Sequence, residues 1–230
     1  MEKFVLLANP RTGSSLMMDC LSQHKNLKIV DSTGGELFNY DYSYLDNKMF
    51  DFDLEDLVLR DDGILLTEES HKFICRKKYC ETAHTMYDGY KLLTCHIKND
   101  VEEYLSLVKV IYLYRKNLLA EQVSAIVAIK TGLWFNGNPF EETIVVDPIE
   151  VEHSIDFVIK RRRHFCNMNL DKITIAYEDN LQDNMNDICN FLDIKVFQPQ
   201  VRTKQRIQRP LNEVISNYDE VKHLDKEYNI

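Results

Sequence analysis

The sequence predicts a three-layer α/β fold, a central parallel sheet flanked by helices. Two observations carry that expectation. Short apolar runs of strand length alternate along the chain with segments whose apolar residues recur at helical spacing. The best runs, Phe4–Ala8 and Val108–Tyr114, are apolar or aromatic almost throughout rather than alternating. That pattern belongs to strands covered on both faces. With 230 residues, 44% of them hydrophobic, the chain can build one sizeable core, so a single domain over 1–230 is expected.

The elements follow in order. Phe4–Ala8 is the first strand, closed by Asn9-Pro10, and Ser14–Ser22 presents Met17, Cys20 and Leu21 on a helical face. Leu27–Val30 reads as a second strand, stopped by Ser32-Thr33-Gly34-Gly35. Residues 36–87 are polar and aromatic-rich, and are expected to be mostly helix and loop. Gly89–Cys95 and Val108–Tyr114 are the next strands. A helix over Asn117–Lys130 places Leu119, Val123 and Ile126 together, and Gly132, Gly137 and Pro139 make 131–147 a long loop. A helix over 148–168, a strand at Lys172–Ala176 and a helix over Asn180–Leu192 come next. The tail is extended and polar from Phe197 to Arg209, then helical from Leu211 to Tyr228.

Composition narrows the function. Thirty-seven acids against 28 bases give a net charge of -9, which disfavours nucleic acid or an anionic membrane surface as the main partner. A small anion site needs only a few donors and is compatible with it. The cysteines (Cys20, Cys75, Cys80, Cys95, Cys166, Cys189) form no C-x-x-C pair, and the histidines are equally dispersed. No metal site is expected, and the thiols are expected to be reduced. The first apolar run is too short for a signal segment, and no stretch approaches a membrane span. These features predict a soluble, cytoplasmic protein with no membrane insertion.

The chemistry is concentrated at the first strand-to-helix junction, Ala8-Asn9-Pro10-Arg11-Thr12-Gly13-Ser14-Ser15-Leu16. Gly13 permits a tight turn, after which backbone N–H groups converge at a helix N-terminus as an anion site. Arg11, Ser14 and Ser15 add side-chain donors. The layout is that of a phosphate loop without the triphosphatase signature. Aligned on G-x-x-x-x-G-K-[ST], Ala8 takes the first glycine's place and Ser14 the lysine's. The strand Val108–Tyr114 ends in Arg115, where a Mg²⁺-holding acid would be expected. A cation there suits an anion directly. The plain alternative is a tight βα turn whose Ser and Thr cap the helix.

Residues 4–21, F-V-L-L-A-N-P-R-T-G-S-S-L-M-M-D-C-L, resemble the 5′-phosphosulfate loop of soluble sulfotransferases that use 3′-phosphoadenosine 5′-phosphosulfate (PAPS). The family's second motif, a strand ending in Arg before a helix that carries a Ser, is similar to Val110–Arg115 and the segment through Ser124. Further likenesses are Gly34-Gly35-Glu36-Leu37-Phe38, Gly89-Tyr90-Lys91-Leu92, Ile175-Ala176-Tyr177-Glu178-Asp179 and the tail from Lys204 to Glu220, which look like bacterial-type members. Residues 40–87 and 131–147 match nothing specific in the family, and segments 36–87 and 131–147 are expected to form the acceptor site or a lid.

The resemblance implies a metal-independent transfer of the sulfuryl group from PAPS to an acceptor hydroxyl or amine, leaving 3′-phosphoadenosine 5′-phosphate (PAP). By it, Arg11, Thr12, Gly13, Ser14 and Ser15 hold the phosphosulfate, Arg115 and Ser124 the 3′-phosphate, and Glu36 is the general base with His96 its rival. Arg11 would also stabilise charge on the leaving phosphate. Lys91 is an auxiliary cation or a strand residue reaching the edge. Tyr177 meets the adenine or belongs to the core, and Lys204 closes over the 3′-phosphate or stays in solvent. Arg11, Glu36, His96 and Arg115 all follow predicted strands, on the edge where open parallel sheets bind ligands. The acceptor, whether small molecule, carbohydrate or lipid, and the oligomeric state are not written in these motifs. Two other readings stay open: a nucleotide-dependent phosphotransferase of the P-loop kind, and a nucleotide-binding interaction protein without catalysis. The basic run Lys160–His164 reads as a solvated helix face.

Overall fold

The computed structural model describes residues 2–29, 57–60, 63–66, 77–94, 97, 99–132, 139–202, 207 and 209–228. Its centre is a four-stranded parallel sheet, flanked by helices, as the sequence predicts. The strands are β1 (Phe4–Ala8), β4 (Gly89–Leu93), β5 (Lys109–Tyr114) and β6 (Lys172–Ala176), in the order β4-β1-β5-β6. β1 lies between β4 and β5, with Leu6 opposite Lys91 on one side and Ile111 on the other.

Side-chain alternation divides β1 and β5 between two cores. Val5, Leu7, Val110 and Tyr112 face one side, where α2 (Lys77–Met86), α3 (Asn99–Leu105) and Phe165 of α5 (Pro148–Asn167) cover them. Phe4, Leu6, Ala8, Ile111 and Leu113 face the other, against α1 (Ser14–Ser22) and α6 (Leu181–Phe191). Every residue of β1 is buried, which explains a run without polar interruption. Its larger side chains, Phe4, Val5, Leu6 and Leu7, each contribute about 1.5–3 kcal/mol of transfer free energy. A third core joins α4 (Leu118–Thr131) to the first half of α5 and to Val214, Ile215, Val221 and Leu224 of the tail.

Local signals fix the helix ends near the site. Asn117 caps α4 by accepting from the Ala120 N–H at 2.9 Å, and Gly132 ends it with a left-handed φ of 64°. Asp147 and Pro148 start α5, the carboxylate accepting from Ile149 and Glu150. Cys20, Cys80 and Cys189 are buried, and burial pushes the Cys20 thiol up to about 11. Among the described residues no helix is long and apolar enough to cross a membrane.

Four expectations differ from the structure. Among the described residues the strand expected at Leu27–Val30 is only a bridge, Ile29 beside Gly89, the Lys28 N–H being taken by the Asp88 carboxylate at 2.8 Å rather than by a strand backbone. Within 36–87, β2 (Leu57–Arg60) and β3 (Gly63–Leu66) form an antiparallel pair where helix and loop were expected. Helix α3 was not foreseen, since its seven residues Asn99–Leu105 include three acids. The expected tail helix is broken into α7 (Leu211–Val214), α8 (Tyr218–Val221) and a 3₁₀ turn, Lys222–Leu224. The break follows from Ile215 pairing with Ile144 and from the Asn217 amide, which bonds the backbone of Val146 in both directions.

His84 of α2 gives the core a pH dependence. Its Nε2 lies 3.1 Å from the Phe4 carbonyl oxygen, so Nε2 carries the proton, and Nδ1 accepts from the Tyr104 hydroxyl. Burial lowers its pKa to about 4. Below about 6.5 the unfolded chain binds a proton that the folded chain refuses, so this contribution is complete above 6.5 and is lost as pH falls towards 4. Between pH 7.5 and 4.5 the loss should be about 2–3 kcal/mol. Urea unfolding at both pH values should show it in the unsubstituted protein and not in His84→Gln. Equal pH sensitivity in the two would remove His84 as the source.

Candidate functional site

The loop between β1 and α1 is held from below. Asn9 and Thr12 are buried; Thr12 Oγ1 donates to the Asn9 carbonyl at 2.8 Å, and Thr94 Oγ1 donates to Asn9 Oδ1. Arg11 and Gly13 both have left-handed backbones, φ 69° and 83°. Gly13 is required twice over, since a Cβ there would stand 2.2 Å from two carbons of the Tyr177 ring. The first intrahelical bond of α1 runs from Met17 N to Gly13 O at 3.1 Å, and no side chain caps the helix. The amides of Ser14, Ser15 and Leu16 therefore have no acceptor within the helix. With no acid in that turn, the positive end of the helix is left for an anion.

Cations gather around it. Arg11 Nε donates to Ser124 Oγ at 2.9 Å, joining the first loop to α4. The two residues are 113 positions apart, and the sequence reading assigned both to one cofactor. Arg115 leaves the end of β5 with its guanidinium 5.2 Å from the centre of the Tyr177 ring, and its Nε 3.6 Å from Glu178 Oε1. Glu178 also accepts from the backbone of Lys116 at 2.8 Å and of Asn117 at 3.2 Å, fixing the turn that carries Arg115. Lys91 does not reach out to solvent. It is 2% exposed, and its Nζ donates to Ser15 Oγ at 3.2 Å, which sets a cation beneath the loop.

A cavity of about 350 Å³ opens here, lined among others by Gly13, Leu16, Met17, Arg115, Tyr177 and Leu181. Its lining sets the Arg115 guanidinium and the Glu178 carboxylate among apolar and aromatic side chains. Tyr177 is half-buried and lines this cavity, so it faces the site as well as packing on Gly13. An anion linked to a flat, largely apolar ring suits such a cleft. Glu36, His96 and Lys204 lie outside the described residues. Among the described residues no group of three or more His, Cys, Asp or Glu is placed to hold a metal ion.

Two charged residues of the site were missed by sequence reasoning. Glu121 in the first turn of α4 is 2% exposed. Burial raises its carboxyl to about 7, against the pull of Arg162, of Arg115 and of a hydrogen bond from the Asn9 amide. Arg162 corrects the reading of 160–164 as a wholly solvated face. Lys160, Arg163 and His164 are exposed, but Arg162 is 4% exposed and donates to the carbonyls of Arg115 at 2.7 Å and Tyr228 at 2.9 Å. Its guanidinium also sits 4.9 Å from the centre of the Tyr114 ring. The signal was available: Arg162 continues the buried stripe Val151, Ile155, Val158 and Phe165. Glu121 had no comparable signal, because an acid in a first helical turn is ordinarily a surface charge serving the helix dipole.

No family model matches the chain, and no curated protein matches it. Among solved structures it is similar to a crystal structure of mouse sulfotransferase SULT7A1 complexed with PAP, at 14% identity and a TM-score of 0.47. The likeness covers 86% of this chain and 60% of that one, so the chain spans about three-fifths of the neighbour's length.

Proposed function

We propose that the chain is a sulfotransferase that takes its sulfuryl group from PAPS and passes it to a hydroxyl or amine of a small-molecule, carbohydrate or lipid acceptor. The observation that carries this reading is the hydrogen bond between Arg11 and Ser124, 2.9 Å long, which brings the two expected phosphate motifs together. Arg115, Tyr177 and Gly13 at the uncapped start of α1 line one cleft.

In this reading each group has a definite task. The amides of Gly13 to Ser15 and the buried Lys91 ammonium receive the 5′-phosphosulfate oxygens, while Arg115 and Ser124 receive the 3′-phosphate. Tyr177 supplies a flat face for the adenine. The acceptor oxygen bonds to sulfur as the bond from sulfur to the 5′-phosphate oxygen breaks. Its proton passes to the Glu36 carboxylate, with His96 the second candidate, and the electron pair stays with the phosphate, opposite Arg11. No step calls for a divalent ion, whereas the phosphotransferase reading needs a loop lysine and a Mg²⁺-binding acid where Ser14 and Arg115 stand.

Calorimetric titration of PAP and of AMP, both without Mg²⁺, tests the assignment. Binding of PAP near the micromolar range that is lost with AMP is the expected result. Equal binding of both, or of neither, would overturn the donor.

A further inference from the structure

Groups from five places face the buried Glu121 carboxyl. Asn9 of the β1–α1 loop donates to it, Arg115 at the end of β5 and Arg162 of α5 attract it, and Glu178 after β6 repels it. Tyr112 within β5 is close enough for Glu121 to raise its phenol. Among the described residues Glu121 Oε2 has no hydrogen-bond partner, and neither has Arg115 Nε or Arg162 Nε. A carboxyl this deep with an unpaired oxygen beside two guanidinium groups is costly to keep charged. Its proton sets the charge of the cluster. When Glu121 is ionised it offsets part of the Arg115 charge, and when protonated it leaves that charge to whatever enters the cavity.

Resting on the sulfotransferase reading for the identity of the ligand, we infer that Glu121 is a positioning residue that couples anion binding at Arg115 to the uptake of a proton. A 3′-phosphate arriving at Arg115 adds a second anion beside Glu121, and the carboxyl takes a proton from solvent. Arg115, which keeps its pairing with Glu178 at 3.6 Å, then no longer shares its charge with Glu121. The starting point favours this, because burial has already lifted the carboxyl to about 7 and a neighbouring anion raises it further. The sign follows from linkage. Affinity is highest below pH 7 and falls by about tenfold per pH unit above it, until the pKa of the bound state is passed. The phosphate's own second ionisation, near pH 6, acts in the opposite sense, so the comparison with Glu121→Gln isolates the protein's part.

The experiment is calorimetric titration of PAP at pH 7.5, in two buffers of different ionisation enthalpy, into the unsubstituted protein and into Glu121→Gln, with the affinity of both also measured at pH 6 and 8.5. The expected result is uptake of roughly half a proton or more per PAP in the unsubstituted protein and none in the variant. Glu121→Gln should also bind PAP more tightly than the unsubstituted protein at pH 8.5, by about tenfold, with the difference shrinking towards pH 6. PAP binding without proton uptake would overturn the coupling while leaving the donor assignment intact. Weaker binding by the variant at both pH values would do the same, making Glu121 a charged scaffold. Failure of PAP to bind, or AMP binding equally well, would overturn the donor assignment and the coupling with it. The two-buffer measurement decides the matter even if the variant does not fold.

Discussion

Gly13→Ala should cost about 3 kcal/mol of stability and abolish nucleotide binding, although it adds a single methyl group. Two effects add. A non-glycine residue at the φ of 83° found here costs about 1 kcal/mol. The new Cβ would lie 2.2 Å from Tyr177 Cδ2 and Cε2, and overpacking of that kind costs about 1–3 kcal/mol. The ring cannot simply retreat, because the Arg115 guanidinium packs 5.2 Å from its centre. Relief must come from the loop, which carries the helix amides out of line. Chemical denaturation of Gly13→Ala alone and in a Tyr177→Ala background separates the two effects. In that background the cost should drop to about 1 kcal/mol, the backbone share. An undiminished cost would mean that the ring is not the obstacle.

The parts of the molecule that were legible in sequence share a physical cause. β1 and β5 are runs that both faces of the sheet demand to be apolar, so their composition and their burial are one fact, whereas the edge strand β6 buries only Ile175 and Ala176. Helices α4, α5 and α6 are long enough to show a periodic face and begin at Asn117, Asp147 and Asn180, each a side-chain cap. Where the signal failed, the local pattern was short or tertiary contacts decided. Ile29 lies beside Gly89 only at a bridge, and Ile215 pairs with Ile144 in the middle of an apparent helix. The candidate site divides the same way. Arg11, Ser14, Ser15 and Arg115 stand at strand ends and a helix start, positions that the strand pattern alone locates. Arg162 reads in sequence as part of a solvated face and Glu121 carries no signal of its own, because charged side chains are rarely buried. Here each faces the other's charge, Arg162 also donating to the carbonyls of Arg115 and Tyr228 and Glu121 accepting from the Asn9 side chain.

Arg115→Ala should weaken PAP binding by about 100-fold to 1000-fold and leave AMP binding nearly unchanged. Loss of a charge-assisted contact to a phosphate, with the partner left unpaired in a partly desolvated cleft, is worth about 3–4 kcal/mol. Arg115→Lys should recover only part, since an ammonium cannot reproduce the planar fork. The substitution also acts inward. Arg115 is one of the two cations that lower the Glu121 pKa, so its removal raises that pKa further and the carboxyl keeps its proton at neutral pH. The folded state then avoids an uncompensated buried charge at pH 6, and meets it only as alkali ionises Glu121 with Arg162 alone to face it. A carboxyl whose folded pKa is raised contributes fully at low pH and loses that contribution as pH rises through the folded value. Arg115→Ala should therefore lose more thermal stability at pH 8.5 than at pH 6 relative to the unsubstituted protein. Adding Glu121→Gln should erase the difference between the two pH values without restoring PAP affinity, because the neutral amide removes the charge penalty but supplies no cation. Equal losses at both pH values in Arg115→Ala would show that Arg115 does not face Glu121 in solution. Unchanged PAP affinity would show that the 3′-phosphate is held elsewhere.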